Sequence, residues 1–338
     1  MTLNRRKTEC LALALGFAAA SVSVSTGAMA YERGYPGVSQ PAGIFITATA
    51  GAPPAGIYMF NQFLTYQAKL TGPGAPSVNG VATHLSVASE ANGLLFVPGW
   101  TFLGGTYDAV LVQPVAMTSL SSPVSTQAAG FQNTYIVPIE LSWKLGDSGF
   151  FVKTGFGFRI PDGTQTGPTG LGSIGAPFYT LQPELLVSYL KDGWTLSANT
   201  ALEINTANSI TRYTSGDVLH AEFQATKRFG KWTTGPVGYY VGQVTSDKSS
   251  AFYNFAINTN RFNLGAAGWL VGYDFGPASL SVWAVDEFSF DSSGGTPRVP
   301  GGLDTASIAA GWKILGSLSY RLWAPDDDQK RSPTLYRK

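Results

Sequence analysis

Polar and apolar residues alternate along the stretch from Gly216 to Asp247, with a short break at Gly230-Lys231. Before the break, the polar set is His220, Glu222, Gln224, Thr226 and Arg228. The intervening apolar set is Leu219, Ala221, Phe223, Ala225 and Phe229. Successive side chains of a strand point to opposite faces, so a period of two predicts a β-strand. Because Gly-Lys fits a two-residue turn, the whole stretch predicts a β-hairpin.

The same hairpin unit recurs along the chain and predicts twelve strands between residues 56 and 323. Outside the hairpin above, the predicted strands are 57–70, 94–103, 106–116, 133–144, 150–160, 179–190, 194–205, 261–274, 278–290 and one within 305–323. The connections alternate between short turns and long loops rich in Gly, Pro, Ser and Thr. The short turns are predicted at Gly104-Gly105, 145–149, 191–193, Gly230-Lys231 and Gly276-Pro277.

Aromatic residues cluster at both ends of the predicted strands. Near the short turns are Phe102, Tyr107, Trp143, Phe150, Tyr189, Trp194, Phe229, Trp232 and Phe275. At the opposite ends are Phe131, Tyr135, Phe158, Tyr179, Tyr213, Phe262, Phe288 and Phe290. Two aromatic belts and alternating connection lengths are typical of strands that cross a membrane. The pattern predicts an all-β fold: a transmembrane, antiparallel, up-and-down β-barrel of about 12 strands, with short periplasmic turns and long extracellular loops.

The polar positions of each strand are then expected to face the lumen, including Asn61, Thr65, Gln67 and Lys69 of the first strand. A barrel of about eight strands is filled by side chains, and one of sixteen or more holds an open channel. Twelve strands are intermediate, so a narrow or partly obstructed pore is expected. The candidate lumen-lining residues are Glu140, Lys153, Arg159, Glu184, Asn199, Glu203, His220, Glu222, Gln224, Arg228 and Arg261. Trp269 falls on the same predicted face of its strand as polar residues, so some apolar surface is expected inside the barrel as well.

The two ends of the chain have distinct compositions. Residues 1–30 combine a basic start, an apolar run and the small-x-small sequence Ala28-Met29-Ala30, which predicts a cleavable signal peptide and export to the outer membrane of a Gram-negative cell. Residues 31–55 are rich in Pro and Gly; they are expected to be a periplasmic segment, a partial plug of the barrel, or unstructured. Residues 324–338 are predicted to be a charged periplasmic tail.

Cysteine and charge exclude several classes of site. The single cysteine, Cys10, lies in the predicted signal peptide, so the mature chain is expected to have no disulfide and no Cys-ligated zinc. Without residues 1–30, the chain has 19 Lys and Arg against 20 Asp and Glu, and no nucleic-acid partner is expected. We expect no cofactor and no metal site. The expected partners are outer-membrane lipid, the barrel-assembly machinery and a small-molecule solute.

Several short motifs resemble those of the "meta-pathway of phenol degradation" family of outer-membrane proteins. They are Gly37, Pro-Pro-Ala-Gly-Ile-Tyr at 53–58, Pro-Ile-Glu-Leu-Ser-Trp at 138–143, Gln-Pro-Glu at 182–184, Tyr-Thr-Ser-Gly-Asp at 213–217, Glu222 and Gly-Pro-Val-Gly-Tyr-Tyr-Val-Gly-Gln-Val-Thr-Ser-Asp at 235–247. The resemblance implies an outer-membrane transporter associated with the breakdown of aromatic compounds, without naming the solute. One departure is that fifteen residues follow Trp323, whereas many such barrels end on an aromatic residue.

Three functions are therefore considered. The first is a channel or transporter for small, hydrophobic or aromatic solutes, with a narrow, polar-lined lumen. The second is a structural or adhesive barrel that acts through its long loops. The third is a barrel hydrolase using His220; because no Gly-x-Ser-x-Gly elbow or His-Glu-x-x-His helix is present, the chain is not expected to be an enzyme.

Overall fold

The computed structural model describes Glu32, Tyr35, residues 38–72, Ala75, and residues 77–167, 172–255, 261–292 and 307–325. The predicted signal peptide lies outside the described residues, as does the predicted tail from residue 326 onward.

Sixteen strands occur in the described part of the chain. They are β1 (Gly56–Thr71), β2 (Ser77–Val78), β3 (Val81–Ala82), β4 (His84–Val97), β5 (Thr101–Phe102), β6 (Gly105–Leu120), β7 (Thr126–Phe131), β8 (Tyr135–Lys144), β9 (Phe150–Arg159), β10 (Thr180–Lys191), β11 (Trp194–Asn205), β12 (Val218–Phe229), β13 (Trp232–Gln243), β14 (Phe262–Asp274), β15 (Ala278–Ser292) and β16 (Ile308–Trp323). A 3-10 helix, Ala251–Tyr253, lies between β13 and β14. In the described ranges, no helix is both long and apolar enough to span a membrane.

The long strands form a closed antiparallel barrel. In order around the barrel they are β1, β4, β6, β8, β9, β10, β11, β12, β13, β14, β15 and β16. Strand β1 closes the ring because it pairs with both of its neighbours: Phe63 lies opposite Gly316 on β16 and opposite Glu90 on β4. A closed ring has no unpaired edge, which a sheet in lipid requires. The prediction of a twelve-stranded barrel is confirmed.

The predicted strand at 94–103 is wrong in its bounds. The strand is β4, which begins ten residues earlier at His84 and ends at Val97. Pro98 and Gly99 stop it, and Gly99 has a φ of 82°, which glycine adopts without strain. The first part of this strand gives no apolar alternation in the sequence, because its outward positions there are largely polar.

On most strands, the alternate set of side chains predicted to face the lumen does so. On β1 the two sets are reversed. On β12, His220 and Glu222 are buried, whereas Phe223 is exposed on the outer face. On β1, in contrast, Leu64 and Tyr66 are buried in the interior. The residues predicted to face the lumen there, Asn61, Thr65, Gln67 and Lys69, lie on the outer face instead. The reason is that the interior beside β1 is apolar and includes Ala42, Ile44 and Ile46 of the N-terminal segment.

The outer face elsewhere is apolar and its ends are aromatic. Exposed aromatic side chains at the short-turn end are Phe102, Phe150, Trp194, Phe229, Trp232 and Phe275, and those at the long-loop end include Phe131, Tyr179, Phe288 and Phe290. Three predicted belt residues, Tyr135, Tyr213 and Phe262, are buried instead. Trp269 also points outward, and the apolar interior surface expected on these strands comes from neighbouring positions such as Leu270. An apolar outer band between two aromatic girdles is the surface that lipid requires.

We expect Leu185→Arg to destabilise the barrel by about 2–4 kcal/mol, because it places a cation in the lipid-facing band. Leu185 lies midway along β10 and is 48% exposed. The free energy of unfolding is measured by denaturant titration in phospholipid vesicles. Leu185→Phe serves as the control, with a change within about 0.5 kcal/mol. Equal stability of the Arg variant and the native protein would contradict the placement of this face in lipid.

Candidate functional site in the barrel lumen

Residues 38–55 run through the interior of the barrel, from its long-loop end to its short-turn end. At the upper end, the backbone N–H groups of Ser39 and Gln40 donate to the Glu203 carboxylate, at 3.0 and 2.6 Å. Farther down, the N–H of Gly43 donates to Glu222 at 3.0 Å. Two carboxylates of the barrel wall therefore accept hydrogen bonds that a buried, irregular backbone cannot make with itself.

The lower part of the segment is held by hydroxyl groups. The N–H of Ala50 donates to Ser188 Oγ at 2.8 Å, and the N–H of Ala52 donates to Ser142 Oγ at 3.2 Å. The guanidinium of Arg321 donates to the carbonyl of Ala55. The segment is thus tied to the wall along its length before it enters β1.

At the long-loop end, Glu32 lies among residues of the loops that follow β11 and β13. Its carboxylate accepts hydrogen bonds from Asn208 Nδ2 at 2.8 Å, from the Tyr253 hydroxyl at 2.9 Å and from Thr211 Oγ1. Burial raises the pKa of Glu32 above its usual range, although these hydrogen bonds act in the opposite direction. The neutral form of this carboxyl group is therefore favoured more than in an exposed glutamate.

The predicted residues Glu140 and Lys153 meet in a buried ion-pair group. Lys153 Nζ lies 2.9 Å from Asp108 Oδ2 and 3.3 Å from Glu140 Oε2. Asp108, on β6, was not among the predicted residues, although it lies on the polar face of its strand. Because all three side chains are buried, removing one leaves the others without their charge partner.

Arg159 and Glu184 form a second group around Tyr135. The Arg159 guanidinium lies over the Tyr135 ring, 4.3 Å from its centroid, and the Tyr135 hydroxyl donates to Glu184. Gln182 Nε2 donates to Glu184 at 2.8 Å and to Gln40 Oε1 at 2.6 Å. This group therefore joins the wall to the N-terminal segment.

His220, Asn199 and Gln224 complete the polar wall. His220 Nε2 lies 3.3 Å from Glu203 Oε1, which is close enough for an ion pair when the imidazole is protonated. The two groups are not aligned as a hydrogen bond. Asn199 is buried opposite Glu222 in the β11–β12 pairing. Gln224 Nε2 donates to the Ala48 carbonyl at 3.5 Å.

The last two predicted residues lie apart from this wall. Arg228 is near the short turn, and its Nη2 lies 2.6 Å from Asp274 Oδ2. Arg261 precedes β14 and is exposed, so the structure does not bring it together with the other candidates.

A third charged group was missed by the sequence analysis. Lys313 Nζ lies 2.9 Å from Glu287 Oε1 and donates to the Tyr239 hydroxyl at 2.8 Å. The hydroxyls of Tyr239 and Tyr66 donate to Glu287 at 2.6 and 2.7 Å. The available signal was Lys313 itself, a lone charge between Trp312 and Ile314 in an apolar strand.

Cavities lie on both sides of the N-terminal segment. The outer cavity, at the long-loop end, has a volume of about 240 Å³, and apolar lining residues include Leu64, Leu85, Val87, Val241, Phe262 and Leu264. The inner cavity has a volume of about 350 Å³ and a mixed lining. Phe45, Phe60 and Val137 are among its apolar residues, and Glu140, Lys153 and Glu184 are among its charged ones. Within the described ranges, no group of three His, Asp or Glu side chains is arranged to hold a metal ion.

The sequence also matches a family model. The match covers residues 69–297, and the family is described as "Putative MetA-pathway of phenol degradation". The chain belongs to this family. A search of curated proteins finds no significant match.

Solved structures share the fold at low identity. An outer membrane channel from Pseudomonas putida F1 is 11% identical, with a TM-score of 0.63 over 81% of this chain and 98% of that chain. The translocator domain of the autotransporter NalP from Neisseria meningitidis is 13% identical, with a TM-score of 0.45 over 82% and 92%. A FadL homologue of Pseudomonas aeruginosa is 10% identical, with a TM-score of 0.40 over 78% and 90%. The first likeness shows the fold of an outer-membrane barrel; the other two are too distant to support any argument.

We expect Lys153→Met to lower the free energy of unfolding by about 3–5 kcal/mol, because the buried Asp108–Glu140 carboxyl pair would lose its cation partner. The matched control is Lys144→Met, since Lys144 pairs with Asp147 at 3.3 Å on the exposed surface. That variant should lose less than about 1 kcal/mol. Denaturant unfolding in vesicles measures both. Equal losses in the two variants would contradict a buried role for Lys153.

Proposed function

We propose that this barrel carries small hydrophobic or aromatic molecules across the outer membrane, along the apolar side of its lumen. The observation that carries the proposal is the division of the interior. The wall formed by β8 to β12 is charged and binds the N-terminal segment. The side formed by β13 to β16, β1 and β4 is largely apolar toward the long-loop end, whereas serines such as Ser281 and Ser317 line it toward the short turns. A solute that avoids charge would follow the apolar side.

The outer cavity suggests the size of the solute. Apolar cavities of about 150 Å³ bind benzene in other proteins. The outer cavity, at about 240 Å³, has room for one substituted ring or a short branched chain. Glu287 and Lys313 border it but are already paired with each other and with tyrosines. The cavity therefore favours an apolar body over a second charge.

The N-terminal segment separates the outer cavity from the inner one. Three side chains of the barrel donate to its carbonyl groups at this level: Gln62 Nε2 to Ile44 at 3.0 Å, Trp283 Nε1 to Gly43 at 3.1 Å, and Lys313 Nζ to Ala42 at 3.4 Å. Passage between the cavities requires these contacts to open. We therefore propose that residues 31–55 act as a plug that gates the path.

The family description, which refers to phenol degradation, supports an aromatic solute without naming one. Transport of this kind requires export of the chain, for which residues 1–30 supply the proposed signal peptide. A hydrolase would need a serine hydroxyl bonded to His220. Among the described residues, His220 makes no such hydrogen bond, and its nearest charged neighbour is Glu203.

Filling the outer cavity tests the transport proposal. Val87→Trp should lower the rate at which proteoliposomes take up a single-ring phenol by about tenfold, because the larger ring occupies most of the space that the solute needs. Val187→Trp is the matched control, since Val187 lies on the outer face of β10 and is 40% exposed. Slower migration of heated than of unheated protein in gel electrophoresis would verify folding. Unchanged uptake in the Val87 variant would overturn the proposed route.

A further inference from the structure

Polar side chains form a row on the membrane-facing side of three adjacent strands. Asn61 on β1 lies opposite Asn92 on β4, and Asn92 lies opposite Gln113 on β6. Glu90 is two residues from Asn92 and points to the same exposed face. We call Asn61, Asn92, Gln113 and Glu90 the outer polar row.

The outer polar row lies within the depth of the hydrocarbon. On β4, Phe96 is exposed near the short-turn end, and Asn92 follows four residues farther into the membrane. A rise of about 3.3 Å per residue and a strand tilt of about 40° place Asn92 roughly 10 Å beyond Phe96. Because the apolar band of such barrels is about 25 Å tall, Asn92 lies near its middle.

The row leaves polar atoms open toward the membrane. Asn61 Nδ2 donates to Asn92 Oδ1 at 2.5 Å. This bond leaves the Asn61 amide oxygen and the Asn92 amide nitrogen without a hydrogen-bond partner among the described residues. Glu90 likewise has no ion-pair partner within the part of the chain that the structure describes. Lipid tails cannot satisfy these groups, so the surface is poorly suited to lipid alone.

The opposite wall of the barrel differs. Midway along the strands there, Leu185 on β10 and Phe223 on β12 are apolar and each 48% exposed. The β11 residue opposite Leu185 is Thr200, whose hydroxyl donates to the Leu185 carbonyl at 3.1 Å and so has a partner within the barrel. The polar row is therefore a local feature of the β1–β4–β6 face and not a property of the whole outer surface.

We propose that a second copy of this chain covers the outer polar row. Two copies inserted in the same direction are related by a twofold axis along the membrane normal, which brings their rows together at the same depth. The open oxygen of Asn61 in one copy then accepts from the open amide of Asn92 in the other, and the reverse contact forms by symmetry. Gln113 is already satisfied within its own chain, because its amide donates to the carbonyls of Pro114 and Gln132 and its oxygen accepts from Thr134. The contacts across the interface therefore come from the two asparagines, with Glu90 beside them.

A second copy fits better than other occupants for two reasons. A soluble partner does not reach the middle of the membrane. A different membrane protein would need a hydrogen-bond donor and an acceptor at this depth. A second copy has both, because it carries the same row at the same depth. This inference is independent of the transported solute.

Cysteine cross-linking tests the interface. In a Cys10→Ser background, Ala88→Cys introduces a single thiol on the exposed face of β4. The position is two residues from Glu90, toward the long-loop end of the strand. Leu185→Cys introduces one on the opposite wall as the control. After oxidation of intact outer membranes, we expect a cross-linked dimer for Ala88→Cys and monomer for Leu185→Cys. No dimer, or the same dimer yield at both positions, would overturn the proposal.

A second arm tests the row itself. Combining Ala88→Cys with Asn61→Leu and Asn92→Leu should lower the dimer yield about fivefold, since the hydrogen bonds across the interface are lost while the face remains apolar. The control is Thr154→Val, which changes an outward polar residue on β9. Slower migration after heating would verify that each variant is folded. An unchanged dimer yield in the Asn61 and Asn92 variant would show that the row does not hold the copies together.

Discussion

The structure depends on the need of a buried backbone for hydrogen-bond partners. Residues 38–55 cross the interior without forming a helix or strand. The N–H groups of Ile44 and Ala48 bond to carbonyls within the segment, and the N–H groups outside these turns need partners on the barrel wall. Glu203 and Glu222 accept from the upper part, and Ser188 and Ser142 accept from the lower part. The polar wall is therefore explained first as a binding surface for the chain's own N-terminal segment.

This requirement also accounts for the division of the lumen. Buried carboxylates need nearby cations, and β9 supplies two of them. Lys153 pairs with Glu140, and Arg159 lies close enough to interact with Glu203, which holds the segment. The side of the segment that faces away carries Ala42, Ile44 and Ile46, which pack against apolar residues of the opposite wall. The interior thus has a charged side and a side that is mostly apolar apart from the Glu287–Lys313 pair, and the proposed solute path follows the second.

Sequence periodicity was sufficient for the barrel and for most of its polar wall. Residues such as His220 and Glu222 could be placed because polar and apolar positions alternate cleanly on β12. The same rule failed on β1, where Asn61 and Gln67 face outward, because period alone cannot tell which face is the interior. It also could not pair Glu287 with Lys313, which are 26 positions apart and meet only when β15 and β16 lie side by side.

The most direct test of this account is whether the N-terminal segment lies inside the barrel in the membrane. Ser39 Oγ lies 2.8 Å from Thr180 Oγ1, so Ser39→Cys and Thr180→Cys place two thiols in contact. In a Cys10→Ser background and intact outer membranes, we predict a disulfide that blocks maleimide labelling until a reductant is added. Labelling of both thiols without reductant would contradict the account.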